Sequence, residues 1–215
     1  MTKGVSVKFK SYAETVSALL KVTKFENELK KHAVIVLKPC LRDTETASTS
    51  PQFVEAVLNF CLNNKNPETQ ICIAEGSDGI DTMEMFETLG YKRLAEQYHV
   101  SLIDLNNTDV EEIADDSFIK FQSIKYPKVL QNAYVISLPK LSLDKETEIS
   151  GGLSNMLGAF PAKHYTGWFS KNKNKLRNEP IKYAIHDILR CKMPNTSIID
   201  ASEQGHILLG GVFLR

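Results

Sequence analysis

The sequence has few cysteines, and no two of them are close together along the chain. The four lie at positions 40, 61, 72 and 191, so no C-x-x-C unit occurs. Without that spacing the residues by themselves provide neither an iron–sulfur ligand set nor a structural zinc site. Dispersed cysteines are typical of a reduced chain, which predicts a cytoplasmic location.

Long hydrophobic runs and an excess of one charge are also absent. No stretch approaches the roughly 20 apolar residues of a membrane-spanning helix, and the N-terminal MTKGVSVKFK lacks the apolar core of a secretion signal. The 26 Lys and Arg residues balance 26 Asp and Glu residues, so the basic footprint of a nucleic-acid-binding protein is missing. We therefore expect neither a membrane nor a nucleic acid as partner. The lysine-rich run 171–177, KNKNKLR, predicts a solvated loop.

What the sequence does contain is typical of a single α/β domain over residues 1–215. A content of 42% apolar and 24% charged residues is ordinary for a globular protein with a sizeable core. Apolar runs predict strands at 33–37, 71–74, 100–105, 133–138, 197–200 and 206–209, and an alternating pattern predicts a short edge strand at 5–10. Amphipathic stretches predict helices at 13–29, from Pro51, from Asp81, at 91–98 and at 181–190. Residues 118–124 predict a hairpin arm, residues 142–148 a polar loop, and Trp168 and Phe169 are expected to pack.

The alternation of apolar strands with amphipathic helices predicts a mainly parallel sheet with helices on both faces, a three-layer, Rossmann-like fold. Ligands of such sheets bind beyond the carboxyl ends of the strands. The predicted strand ends carry Lys38, Glu75-Gly76-Ser77, Asp104, Lys140 and Asp200. If the sheet is parallel, these groups converge on one edge, which predicts a binding cleft there.

A small-residue turn, Ser150-Gly151-Gly152, follows the buried strand 133–138. Backbone N–H groups at such a turn can hold a phosphate or a carboxylate, but the glycines can equally serve only a tight turn. Lys38 and Lys140 each lie next to a proline at a strand end. As point charges they could neutralise an acidic ligand, or they could simply extend to solvent.

His164 is the best histidine candidate for acid–base chemistry. It follows Lys163, whose charge favours a neutral imidazole that can act as a base near neutral pH. Glu75 and Asp200 are the candidate carboxylates for proton transfer, although such groups often cap helices instead. No tight ligand spacing predicts a metal site.

Several short pieces occur in an order that resembles a known family. They are LKPC (37–40), STSP (48–51), AEGS (74–77), GY (90–91), DLNN (104–107), SLPKL (137–141), SGGLSNMLGAFP (150–161), KH (163–164) and SIIDASEQG (197–205). This order resembles the domain-of-unknown-function family DUF362 over about residues 34–205. Members of that family are uncharacterised or associated with iron–sulfur proteins. The resemblance implies proton transfer or redox assistance beside a bound cofactor, with a separate redox partner, rather than hydrolysis.

The sequence departs from the family pattern in three places. The family usually continues Pro-Lys-Leu with Lys-Thr-His, where Ser142-Leu143-Asp144 stands here, and its turn usually reads Gly-x-x-Lys-Asn, where Ser154 precedes Asn155. The ferredoxin module of many relatives is absent. The turn also resembles, more distantly, the segment of nickel-dependent lactate racemases in which a Gly-Gly turn precedes the lysine that carries the pincer cofactor. With Ser154 there, a lysine-tethered cofactor could not be held in the same way.

We therefore expect a small anionic molecule, an acidic or phosphorylated metabolite, in a cleft at the carboxyl edge of the sheet. The predicted ligand-binding residues are Lys38, Ser50, Gly76, Ser77, Lys140, Gly151, Gly152, Asn155 and Lys163, and the predicted proton-transfer residues are His164, Glu75 and Asp200. The competing prediction is a degenerate, non-catalytic family member that acts as a binding or assembly subunit. The sequence names neither the reaction, nor the cofactor, nor the oligomeric state.

Overall fold

A seven-stranded sheet forms the centre of the computed structural model, which describes residues 4–145 and 147–211. Across the sheet the strands are β1 (Gly4–Lys8), β11 (His206–Gly211), β10 (Thr196–Ala201), β7 (Tyr134–Leu138), β2 (Val34–Pro39), β3 (Gln70–Glu75) and β4 (Ser101–Asp104). The five strands from β10 to β4 are mutually parallel, and β11 is antiparallel to both of its neighbours. The predicted, mainly parallel sheet is confirmed.

Two small hairpins lie outside this sheet; the sequence misplaced one and predicted a loop in place of the other. They are β5 (Val110–Ile113) with β6 (Ile124–Pro127), and β8 (Ser142–Asp144) with β9 (Glu148–Ser150). The arm predicted at 118–124 is wrong, because β6 begins only at Ile124 and the preceding loop is held by Asp187 instead. The loop predicted at 142–148 contains β8 and the start of β9, which are three residues each and carry a single, exposed apolar side chain, Leu143 or Ile149.

The helices cover both faces of the sheet, which confirms the three-layer prediction. On one face are α1 (Tyr12–Val22), α2 (Glu26–Leu29), α3 (Pro51–Asn64), α4 (Thr82–Thr88) and α5 (Tyr91–Tyr98). On the other are α6 (Lys128–Gln131), α7 (Ala162–Tyr165), α8 (Ile181–Cys191) and 3₁₀ helices at Ser154–Ala159 and Asn174–Leu176. A third 3₁₀ helix, Ser202–Gln204, follows β10. No described helix is both long and apolar enough to cross a membrane.

Local residue choices fix where these helices begin and end. The Asp81 side chain accepts a hydrogen bond of 2.9 Å from the Glu84 N–H and so caps α4. The helix predicted at 13–29 is two helices, because Lys24 adopts a left-handed backbone with φ 54° between α1 and α2. Residues after Lys24 must therefore start a new helix.

The sheet separates two apolar cores, one on each face. The side chains of β2 point alternately to the two cores, and this alternation decides on which face Lys38 lies. Ile35 and Leu37 pack toward α1–α5, whereas Val36 packs toward α8. Lys38 follows Val36 by two residues, so its side chain leaves the strand on the α8 side, where the 3₁₀ helix Ser154–Ala159 lies.

Candidate functional site

The carboxyl ends of β2, β3 and β7 meet the 3₁₀ helix after the glycine turn in a buried polar cluster. The Lys38 ammonium forms an ion pair with Glu75 and donates a 2.7 Å hydrogen bond to the Asn155 carbonyl. Asn155 Nδ2 donates back to the Lys38 carbonyl at 2.9 Å and to Ser137 Oγ at 3.0 Å. Ser137 Oγ in turn donates to the Gly152 carbonyl at 3.0 Å. Three strands and the turn are thereby tied together by side chains.

Burial dominates the electrostatics of this cluster. The Lys38 residue is fully buried and Glu75 is 3% exposed. Loss of water raises the pKa of the Glu75 carboxyl, and the charges of Lys38 and Lys173 offset that effect only in part. Glu75 is therefore a carboxyl with a higher affinity for a proton than an ordinary glutamate has.

Two glycines allow the backbone to come this close to the ion pair. A Cβ on Gly158 would lie 2.4 Å from Glu75 Oε1 and 2.6 Å from Lys38 Nζ, and a Cβ on Gly76 would lie 2.4 Å from the Gly158 carbonyl oxygen. No side chain fits at either position without displacing the pair or the backbone. These glycines are required by packing.

Lys173, which sequence reasoning assigned to a solvated loop, completes the cluster. It lies between α7 and α8, is 1% exposed, and donates from Nζ to the Gly76 carbonyl at 2.7 Å. Burial lowers the pKa of the Lys173 ammonium to about 8, although the negative charges of Glu75 and Asp78 act in the opposite direction. The sequence contains one sign that this run is not fully solvated, which is the apolar residue Leu176. Leu176 is buried in the core and holds the run against the protein.

A cleft of about 390 Å³ opens above these residues. One wall comes from the β8–β9 hairpin and the other from residues 172–177. Its charged lining residues are Arg42, Asp43, Glu75, Asp78, Asp144, Lys173 and Arg177. Arg177 Nη1 pairs with Asp78 at 2.6 Å, and Arg42 Nη2 donates to Ser150 Oγ at 3.4 Å. The cleft thus presents two guanidinium groups beside a buried amine and a buried carboxyl.

The sequence profile of the family described as Domain of unknown function (DUF362) matches residues 35–206. This chain belongs to the DUF362 family. The resemblance predicted from the ordered pieces is therefore confirmed. No curated protein sequence matches this DUF362 chain.

A solved structure with a similar fold is that of the lactate racemase apoprotein from Thermoanaerobacterium thermosaccharolyticum. The TM-score is 0.59 at 14% sequence identity, over 97% of this chain and 54% of that one. The DUF362 chain thus spans about half the length of that structure, and at such low identity the likeness shows the fold alone.

The glycine turn of this DUF362 chain uses its polar groups internally. The Gly151 N–H donates to Ser154 Oγ at 2.8 Å, and Ser154 Oγ also contacts Ser150 Oγ at 3.0 Å. A hydroxyl cannot make the link that a lysine amine makes, so the residues of this turn do not fit a lysine-tethered cofactor. Within residues 4–145 and 147–211, no three His, Cys, Asp or Glu side chains cluster as a metal-binding set would.

Of the residues predicted to bind or react, Glu75, Gly76 and Asn155 line the cleft, and Lys38 lies buried beside Glu75 and Asn155. The remaining ones, which are Ser50, Ser77, Lys140, Gly151, Gly152, Lys163, His164 and Asp200, are outside its lining. The strand ends thus place three of the predicted residues in the lining of one cleft and the others elsewhere, and the binding and proton-transfer roles of all of them stay predictions.

Lys140 and Asp200 lie outside the cleft lining, at the end of β10. Lys140 Nζ pairs with Glu203 at 2.7 Å and donates to a loop carbonyl. Asp200 accepts a 2.7 Å hydrogen bond from the Tyr12 hydroxyl and a 3.0 Å bond from the Ser202 N–H, which shapes the end of β10. Both side chains are engaged in structural contacts.

His164 and Lys163 lie on α7, away from the cleft lining. Burial and the charges of Lys163, Lys125 and Lys175 lower the pKa of the His164 imidazole, and its buried Nε2 has no hydrogen-bond partner among the described residues. Lys163 Nζ donates to the Thr108 carbonyl at 3.3 Å. Their roles in binding and proton transfer stay predictions.

Ser50 and Ser77 lie just before the starts of two helices, and the buried Ser77 hydroxyl has no hydrogen-bond partner among the described residues. The Ser50 hydroxyl donates to the Gln52 side chain at 2.5 Å, next to the start of α3. The Ser77 N–H donates to Thr82 Oγ1 at 3.1 Å, just before α4. These contacts belong to the loops that lead into the helices.

Proposed function

We propose that this DUF362 protein binds a small acidic metabolite in the cleft above Glu75 and Lys173, and that these two groups exchange a proton with it. The observation that supports the proposal is the pair itself. A carboxyl whose pKa is raised and an amine whose pKa is lowered to about 8 line the same cleft. A carboxyl with a raised pKa and an amine with a lowered pKa in one cleft are typical of acid–base sites.

Arg42 and Arg177 are the groups that would hold the acidic part of the ligand. A guanidinium matches a carboxylate or phosphate with two parallel hydrogen bonds, which an ammonium cannot do. The same lining carries Asp43, Asp78 and Asp144. Such a mixed wall favours a ligand that has hydrogen-bond donors, for example hydroxyl groups, in addition to its acidic group.

Lys38 is assigned a positioning role in this proposal. Its ammonium is fully buried and bonded to Glu75 and to the Asn155 carbonyl. It therefore fixes the direction of the Glu75 carboxyl, while Lys173 is the amine that lines the cleft.

The alternative is that the chain is a binding or assembly subunit without catalysis. Trp168 and Phe169 favour it, since they are adjacent and 94% and 98% exposed. Exposed aromatic residues of this size are common at contact sites between proteins.

The binding proposal is tested by thermal unfolding with succinate, malate and inorganic phosphate. A ligand at a hundred times its Kd adds about 2.7 kcal/mol, which raises the Tm of a chain of this size by roughly 5–10 °C. We expect at least one anion to give such a rise, and Arg42→Ala and Lys173→Met each to lose most of it relative to the Tm of the same variant without ligand.

The matched control is Arg93→Ala, which removes an exposed arginine from α5 and should leave the rise intact. If no anion raises the Tm, or if Arg42→Ala responds as fully as Arg93→Ala, binding in this cleft is wrong and the assembly alternative gains.

A further inference from the structure

We propose that Lys173 forms an imine with an aldehyde or ketone carbonyl of the acid bound in this cleft. The ligand class is then a small oxo-acid, in which a carboxylate and a carbonyl are close together. This inference rests on the proposed function, because it names the ligand class of the same cleft.

The geometry around Lys173 leaves its amine in the cleft lining without a carboxylate partner among the described residues. Nζ donates to a neutral acceptor, the Gly76 carbonyl, at 2.7 Å, and no salt bridge to Lys173 is found in the described parts of the chain. The backbone N–H of Lys173 donates to Asp78 Oδ1 at 2.7 Å and Leu176 is buried nearby, so the segment is held in place. Lys38, by contrast, is committed to the Glu75 carboxylate.

Four charged groups face the amine and set its protonation. Burial is the largest effect, and with Lys38 it lowers the pKa, whereas Glu75, Asp78 and Asp104 raise it, with a net value of about 8. About a tenth of the amine is therefore neutral at pH 7, against less than about one part in a thousand for an exposed lysine. Only the neutral amine is a nucleophile.

The reaction is a condensation that needs no oxidant or reductant. The Lys173 nitrogen lone pair attacks the carbonyl carbon, and the carbonyl oxygen takes up a proton from that nitrogen to give a carbinolamine. The C–O bond then breaks, and the oxygen leaves as water with a second proton. From the ammonium form, the balance is R–NH₃⁺ plus O=C gives R–NH⁺=C plus H₂O.

Glu75 accepts the proton that the Lys173 ammonium loses before the attack and returns it in this second step. Departure of water needs a proton donor beside the carbinolamine, and the raised pKa of the Glu75 carboxyl makes it a better donor near neutral pH than an ordinary glutamate. Arg42 and Arg177, in the wall of the same cleft, would hold the carboxylate and bring the adjacent carbonyl toward the amine.

The test uses glyoxylate as the probe and sodium cyanoborohydride to reduce any imine to a stable secondary amine. At pH 7 we expect one adduct per chain by intact mass, located on Lys173 by peptide mapping. Labelling should be at least tenfold faster than at the exposed Lys171 and should rise as the pH is raised through about 8. Mapping on the wild-type chain makes the result independent of whether a variant folds.

Two variants complete the experiment. Lys173→Arg keeps a positive charge but cannot form an imine, and it should abolish the fast adduct. Lys171→Met removes an exposed lysine two positions away and should leave that adduct unchanged. The proposal is overturned if labelling is spread evenly over the exposed lysines, or if Lys173→Arg is labelled as fast as the wild type.

Succinate, which has no ketone or aldehyde, separates this proposal from the proposed function. If succinate raises the Tm but glyoxylate does not label Lys173, the cleft binds anions and the imine is wrong. If Lys173 is labelled rapidly while no anion raises the Tm, the imine stands and general anion binding in the cleft does not.

Discussion

At the scale of single residues, the ion pair between Lys38 and Glu75 makes the strongest prediction. Replacing Lys38 by Met leaves the Glu75 carboxyl buried without its cation, and breaking a buried pair in this way costs about 3–5 kcal/mol. We expect Lys38→Met to lower the free energy of unfolding, measured in urea, by that amount at pH 7.

The double variant Lys38→Met/Glu75→Gln should recover a large part of the loss, because it also removes the isolated charge. Lys21→Met is the matched control, since it alters an exposed lysine on α1 and should change the free energy by less than about 0.5 kcal/mol. Equal effects of Lys21→Met and Lys38→Met would contradict the buried pair.

Gly158 offers a second test at this scale. Alanine there would place its Cβ 2.4 Å from Glu75 Oε1, so the ion pair or the 3₁₀ helix must move. Overpacking of this kind costs about 1–3 kcal/mol. We expect Gly158→Ala to lower the urea midpoint accordingly and to weaken any anion-induced rise in Tm.

Gly210→Ala is the companion variant, because nothing lies within 4 Å of a Cβ built at that position. It should be neutral or slightly stabilising. A neutral Gly158→Ala would show that the backbone is not as close to Glu75 as described.

At the scale of elements, Asp187 joins helix α8 to the loop between β5 and β6. Its buried carboxylate accepts hydrogen bonds from the backbone N–H groups of residues 119–121 at 2.8–3.0 Å, and from His186 Nδ1 at 2.8 Å. Hydrogen bonds to a charged group contribute about 1.5–3 kcal/mol. We expect Asp187→Asn to lose that much free energy of unfolding at pH 7, whereas Asp116→Asn, an exposed control in the same loop, should change little.

The pH dependence of this effect has a definite sign. Burial alone would raise the pKa of Asp187, but the hydrogen bonds from His186 and residues 119–121 outweigh it and lower the pKa. Such a carboxyl stabilises the fold above its unfolded pKa of about 3.9 and loses that contribution as the pH falls through the folded value. The difference in the free energy of unfolding between the wild type and Asp187→Asn should therefore become smaller below about pH 4. Repeating the comparison in a His186→Gln background removes the contribution of the histidine.

The elements also show which parts of the fold the sequence can predict. Runs such as residues 34–37 and 134–136 are apolar throughout because both faces of a parallel strand are buried, and this pattern is visible without a structure. The β8–β9 hairpin has no such pattern, since Leu143 and Ile149 are exposed. The position of residues 119–121 depends on Asp187, about 66 residues later, and no local rule reveals that contact.

At the scale of the whole molecule, convergence of the strand ends was predictable and the composition of the cleft was not. A parallel sheet must deliver Lys38 and Glu75 to one edge, whatever the strand order. Lys173 and Arg177 reach that edge from a lysine-rich loop, which the packing of Leu176 and the contacts with Asp78 turn inward. Charge patterns along a chain do not contain that information.

The exposed tip at Trp168 and Phe169 gives a prediction for the molecule in solution. The expectation that they pack is wrong, because Phe121, Phe160 and Tyr165 already fill the aromatic cluster beneath α7. Trp168 is the only tryptophan and is 94% exposed. Its fluorescence should match that of the urea-unfolded chain in emission maximum and in acrylamide quenching.

A blue-shifted emission that moves back on dilution would show instead that a second copy covers this tip. Phe169→Ser, which leaves the tryptophan in place, should change nothing if the molecule is monomeric, and should abolish the shift if it is not.

The pairing of β1 bears on how the chain acquires its structure during synthesis. Among the described strands, β1 pairs only with β11, and Ser6 and His206 in that pair are 200 positions apart. The ribosome delivers β1 first and β11 last, so residues 4–8 emerge with no edge to dock on until almost all of the described chain has followed. The inner parallel strands can assemble earlier, whereas β1 and the outer edge of β10 stay unpaired until β11 has been synthesised.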